Sequence, residues 1–170
     1  MENKPEGHYT KVDDLLLFYR EGGRGDRLIL LHGGGLTSKV WEQHYSFLSD
    51  KFQIYSPDCR GHGRKNNPLG TLSYSQLADD LAGFVQALRI SKPFICGWSM
   101  GARRALEFAA RYPQELGALV CCSGGPPLSE NEAQELIKEN NRALLDPEIA
   151  AGMMAKHSHV YGNTYWRSLA

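Results

Sequence analysis

The feature that most constrains this chain is a repeated alternation of short apolar runs with amphipathic segments. Arg27 to Leu31 (RLILL), Phe52 to Tyr55 (FQIY) and Pro93 to Cys96 (PFIC) are brief and largely apolar. A run without regular polar alternation reads as a strand covered on both faces. Leu15 to Tyr19, closed by the turn residues Glu21-Gly22-Gly23, and Leu116 to Cys122 (LGALVCC) extend the series. Between these runs the apolar residues recur at helical spacing. Trp41, Tyr45 and Leu48 mark one segment, Leu77, Leu81, Phe84, Val85 and Leu88 a second, and Ala102, Ala105, Leu106 and Ala109 a third. Ser73 with Gln76 three residues on reads as a capping box for the second. Strands and helices alternating in this way predict an α/β fold, doubly wound around a mostly parallel sheet of about six strands.

The rhythm stops at Gly124-Gly125-Pro126-Pro127. Beyond it the signals are helical: Ser129 with Glu132 as a second capping box, then Asp146-Pro147 as an N-cap followed by a first-turn proline. The chain therefore divides into residues 1–125, carrying the sheet, and residues 126–170, a helical segment.

Charge and composition exclude several classes of function. The 170 residues carry 19 basic and 19 acidic side chains, which removes the electrostatic case for nucleic acid or an anionic membrane surface. No apolar stretch approaches the roughly 20 residues of a membrane helix, and the polar start MENKPEGHYT shows no secretory leader. Cys59, Cys96, Cys121 and Cys122 contain no C-x-x-C pair, so they are expected to be reduced and mostly buried, in a cytoplasmic protein.

Chemistry concentrates at three places, each following a predicted strand. Gly97-Trp98-Ser99-Met100-Gly101 is a G-x-S-x-G between a strand and a helix. Glycines on either side let the backbone turn sharply, lift the serine hydroxyl above the sheet, and aim the next helix N-terminus at it. His32-Gly33-Gly34-Gly35 follows RLILL and can supply a backbone donor for a developing oxyanion. The Met100 amide would be one such donor, with Gly34 the first choice and Gly35 the second for the other. His32 is expected to brace this loop rather than act as a base. Asp58-Cys59-Arg60-Gly61-His62-Gly63 also reads as a braced turn, despite its acid, base and histidine. A phosphate-binding reading of the glycine loop fails, since Ser38 stands where glycine belongs and Val40 where the metal-binding hydroxyl belongs. No G-x-G-x-x-G occurs, so a dinucleotide site is unsupported, and neither a metal nor a cofactor is expected.

Taken in order, HGGG, DCRGHG and GWSMG resemble the α/β-hydrolase superfamily in its serine-nucleophile branch, over nearly the whole chain. The G-x-S-x-G segment is similar to that of small carboxylesterases, including the pimeloyl-ester esterase type, and of enol-lactonases. That resemblance implies Ser99 as nucleophile, Met100 and Gly34 (or Gly35) as oxyanion donors, and Trp98 as a pocket-lining residue or a core one. It implies a carboxylic ester, thioester or lactone as small-molecule substrate. The same turn also serves carbon–carbon bond hydrolysis and perhydrolysis. Lys65 and Ala102 depart from the family pattern without touching this chemistry.

The resemblance further implies an acid and a histidine at the ends of later strands. After Ser99 the histidines are His157 and His159, both in the helical tail, and every acid lies in or beside a predicted helix. The sequence is therefore expected to be C-terminally truncated, ending inside a helical cap with two further strands missing. The LGALVCC strand would then be an apolar sheet edge, a template for self-association. A non-catalytic binding or regulatory protein, or a half-enzyme completed by another chain, is the alternative.

Overall fold

The computed structural model describes residues 4–63 and 72–124, together with Asn131, Gln134, Glu135, Lys138, Pro147, Glu148 and Ala151. Six strands form one sheet: β1 (Glu6–Val12), β2 (Leu15–Gly23), β3 (Asp26–Leu31), β4 (Phe52–Pro57), β5 (Phe94–Trp98) and β6 (Ala118–Cys122). Three helices connect them: α1 (Glu42–Leu48), α2 (Tyr74–Ala87) and α3 (Met100–Arg111). The strand order is β1-β2-β4-β3-β5-β6. β4, β3, β5 and β6 run parallel, while β1 and β2 form an antiparallel hairpin added beside β4.

The expected α/β architecture is present. β1 is not among the expected strands; its EGHYTKV is polar and exposed along most of its length. A strand facing water on its outer edge has little apolar pattern to read. Its signal was the V-D-D-L turn, with Asp13 at φ 48°.

Each face of the sheet has its own core. On one, α2 and α3 press Leu81, Phe84, Val85, Ala105 and Phe108 against Leu17, Ile29, Leu31 and Ile95. On the other, Trp41 and Tyr45 cover Leu28, Leu30 and Ile54. Helix α2 starts where its sequence indicates, with the Ser73 hydroxyl accepting from the Gln76 N–H at 3.2 Å. Trp41 belongs to a short 3₁₀ turn, Ser38–Trp41, that leads into α1. In α3 the buried stripe differs from the expected one. Leu106 is 45% exposed, whereas Phe108 and Arg104 are buried. Arg104 is accommodated because its Nε donates to the Leu77 carbonyl at 2.9 Å, tying α3 to α2.

The four cysteines are free, as expected, but less buried than expected. Cys59 is buried and Cys96 half-buried, while Cys121 and Cys122 are exposed on β6. Among the described residues β6 pairs with β5 alone and is a sheet edge. Within 126–170 the seven described residues are helical, and the other expectations placed there, including His157 and His159, lie outside the described residues.

This topology positions the site. From β3 the chain crosses to β4 on one side, and from α2 it returns to β5 on the other. Ligands in open α/β sheets bind beyond the carboxyl ends of strands at such a reversal. All three sequence motifs lie at those ends.

Candidate active site

Ser99 joins β5 to α3 with φ 53° and ψ −115°, a backbone conformation that disfavours an ordinary side chain. The flanking glycines explain how it is held. A Cβ at Gly97 would collide with the Gly101 carbonyl oxygen, and a Cβ at Gly101 with the Leu31 carbonyl oxygen. Helix α3 can thus sit directly on the ends of β3 and β5 only with glycine at both positions. The Ser99 N–H donates to the Cys122 carbonyl at 2.8 Å, and its own carbonyl accepts from Ala102 and Arg103 in the first turn of α3. The hydroxyl makes no helix-capping bond and the residue is exposed. Among the described residues, no histidine or carboxylate hydrogen-bonds this hydroxyl.

The glycine loop lies against this turn. A Cβ on Gly33 would stand 3.5 Å from the Ser99 Cβ, and one on Gly34 would be 3.9 Å from both Cβ and Sδ of Met100. Gly33 is buried, Gly34 exposed, and Gly35 has φ 65°. Gly34, Met100 and Ser99, predicted as one constellation, are therefore neighbours, with Gly35 next along the loop. Trp98 is 38% exposed, on the sheet face where its register partner is Cys122.

The turn after β4 interlocks with the glycine loop. Asp58 Oδ1 accepts the Ser38 N–H at 2.7 Å, which fixes the far end of the loop. Gly63, at φ 60°, lies so near that a Cβ would collide with Asp58 Oδ2. Arg60 donates from Nε and Nη2 to the two carboxylate oxygens of Asp80 at 2.9 and 2.7 Å, with Asp14 at 3.4 Å. The Asp80 carboxylate holds the guanidinium pKa above its ordinary value. Asp58 and Arg60 thus make the bracing contacts that the sequence suggested. Burial pushes the Cys59 thiol between them up to about 12, so it remains protonated and is no nucleophile. The carboxylate of Glu107, an acid following Ser99, accepts from Ser75 Oγ at 2.9 Å, a link between α3 and α2. No group of three or more His, Cys, Asp and Glu among the described residues is arranged to hold a metal ion. No described helix is long and apolar enough to cross a membrane.

Known proteins resemble this chain in sequence and fold. A family model described as alpha/beta hydrolase fold matches residues 26–166. A pimeloyl-[acyl-carrier protein] methyl ester esterase of Citrobacter koseri is 32% identical over 155 residues, covering 91% of this chain and 56% of that enzyme. A 2-(acetamidomethylene)succinate hydrolase of Mesorhizobium japonicum is 32% identical over 127 residues, 75% of this chain and 45% of that protein. The crystal structure of an E-2-(acetamidomethylene)succinate hydrolase superposes with a TM-score of 0.75 at 25% identity, covering 97% of this chain and 63% of that one. The chain thus spans about half the length of the curated relatives it matches. The sharp serine turn, the glycine loop packed against it and the matched family model agree: this chain belongs to the α/β-hydrolase family.

Proposed function

We propose that this chain is the nucleophile-bearing part of a serine hydrolase acting on a small carboxylic ester, thioester or lactone. The observation that carries the reading is the backbone of Ser99, held at φ 53° between two glycines that admit no Cβ. Such strain persists only where surrounding structure enforces it, and here it presents an uncapped hydroxyl at the head of a twelve-residue helix. In the reaction, Ser99 Oγ adds to the substrate carbonyl carbon while its proton passes to a base. The carbonyl oxygen becomes an oxyanion facing the N–H groups of Met100 and Gly34, with Gly35 as the alternative donor. Collapse of the intermediate expels the alcohol, thiol or ring oxygen and leaves an acyl-serine, which water then cleaves to the free acid. Trp98 would line the acyl pocket, and residues 126–170 would form its helical cap above a core of residues 1–125. Four free cysteines accord with a reducing, cytoplasmic setting.

The second reading is a hydrolase-fold binding protein, or a half-enzyme completed by another chain. What favours it is that the Ser99 hydroxyl has no basic partner among the described residues. A fluorophosphonate probe decides between them. Labelling of the chain that vanishes in Ser99→Ala supports an assembled nucleophile, whereas a chain that stays unlabelled supports the second reading.

A further inference from the structure

A chain of hydrogen bonds joins the turn after β4 to the glycine loop, and it runs through His32. This imidazole is 2% exposed. Its Nε2 accepts the backbone N–H of Cys59 at 2.8 Å, so Nε2 carries no proton. Its Nδ1 lies 2.8 Å from the Gly33 carbonyl oxygen, which can only accept, so the ring proton is on Nδ1. The imidazole is neutral, in one tautomer, with both nitrogens engaged by backbone.

The Gly33 carbonyl and the Gly34 N–H belong to a single peptide unit. That unit is planar and trans, as are all those described, so its C=O and N–H point in opposite directions. Whatever fixes the Gly33 oxygen therefore fixes where the Gly34 N–H points. Leu36 N–H also reaches the Gly33 oxygen, but at 3.3 Å. The shorter bond from Nδ1 dominates the orientation. Gly34 itself is exposed beside Met100, where a donor would be of use.

We propose that His32 is a positioning residue that aims the Gly34 N–H at the oxyanion, through a relay from the Cys59 N–H to the imidazole to the Gly33–Gly34 peptide. This inference rests on the reading of Ser99 as nucleophile and Gly34 as donor. Each bond in such a series polarises the next, so the relay also makes the Gly34 N–H a stronger donor. It further explains why a histidine next to the site does not serve as its base: the Nε2 lone pair is taken and Nδ1 is protonated.

The test separates the two ends of the ring. In the whole chain, long-range ¹H–¹⁵N correlation spectra should show His32 with a protonated Nδ1 and an unprotonated Nε2 at pH 7. The opposite tautomer, or a cationic ring, overturns the proposal. His32→Asn places an amide nitrogen where Nδ1 stood and keeps the donor to Gly33. His32→Gln places an oxygen near the position of Nε2 and keeps only the bond from Cys59. The Gly34 amide resonance should stay close to wild type in the Asn variant and move in the Gln variant. The maximal rate of Ser99 phosphonylation should fall by about ten- to a hundredfold in the Gln variant, less than the about 10²–10³ lost with an oxyanion donor. The probe's half-saturating concentration should change little, and the Asn variant should recover most of the rate. Equal losses in both variants, or an unmoved Gly34 amide in the Gln variant, overturn the relay. Absence of wild-type labelling would instead sink the nucleophile reading, while the tautomer and the Gly34 resonance still decide the relay.

Discussion

β3 and β6 read almost alike in sequence, and the structure treats them oppositely. Both are parallel strands dominated by aliphatic residues, RLILL in one and ALVCC in the other. β3 has β4 and β5 as neighbours and a helical layer over each face, and Leu28 to Leu31 are all buried. β6 has one described neighbour, and Val120 is 55% exposed. An apolar run therefore states that a strand needs cover, but the neighbouring elements decide whether it receives any. The unbroken apolar run of β3 marks a strand covered on both faces, and its place between β4 and β5 comes from the topology. β6 is covered in part, with α3 packed against it and Leu119 resting on the core that holds Ala105 and Phe108.

Substitutions at matched positions should widen or close this contrast. Ile29→Ala removes a wholly buried side chain from the β3 core and should cost about 2–5 kcal/mol in urea unfolding. A smaller loss would mean that α2 and α3 can collapse onto the space. Cys59, which follows β4, adds proton binding to these tests. The Cys59 thiol ionises near 9.0 ordinarily and is pushed up to about 12 by burial. Between those values the unfolded chain has released a proton that the folded chain keeps, so stability falls as pH rises through that window. Wild type should therefore lose up to about 1.4 kcal/mol per pH unit more than Cys59→Ala between pH 9 and 11. Parallel slopes for the two proteins would overturn the assignment. Tyr45, raised from 10.0 to about 12 by burial, adds a loss of the same sign to both and cancels in the difference. Val120→Lys should have the smallest effect, within about 0.5 kcal/mol, since the side chain already stands in water. If β6 pairs with a second copy, the same lysine should abolish that association in sedimentation. A Lys variant that stays associated would remove the edge as the cause.

Much of the fold was legible because its signals are local. Ser73 caps α2, and the spacing of Leu77, Leu81, Phe84 and Val85 marks a face that the structure buries. The errors fall where tertiary contacts override local pattern. Leu106 looks like a core residue but lies outside the buried stripe, while Arg104 is buried because a carbonyl of α2 receives its Nε. The polar β1 hairpin has too little apolar periodicity to betray itself. At the candidate site, Gly97 and Gly101 were legible because no other residue fits between α3 and the strand ends. The neighbours of Asp58 and His32 were less so. Their partners Ser38 and Cys59 are engaged through backbone N–H groups, which every residue but proline carries and no sequence pattern marks.

The crossing of the chain at β3 has a consequence for how the site comes into being. Gly34 follows β3 and Ser99 follows β5, with β4 and α2 between them in sequence although β3 and β5 are hydrogen-bonded neighbours. Bringing them together requires closing a long loop, a contact of high sequence separation that forms slowly. A nascent or partly folded chain can therefore own a serine hydroxyl and a glycine loop without owning the site. On the nucleophile role proposed above, any reactivity at Ser99 would report completed folding, arriving only when the sheet has closed around β3.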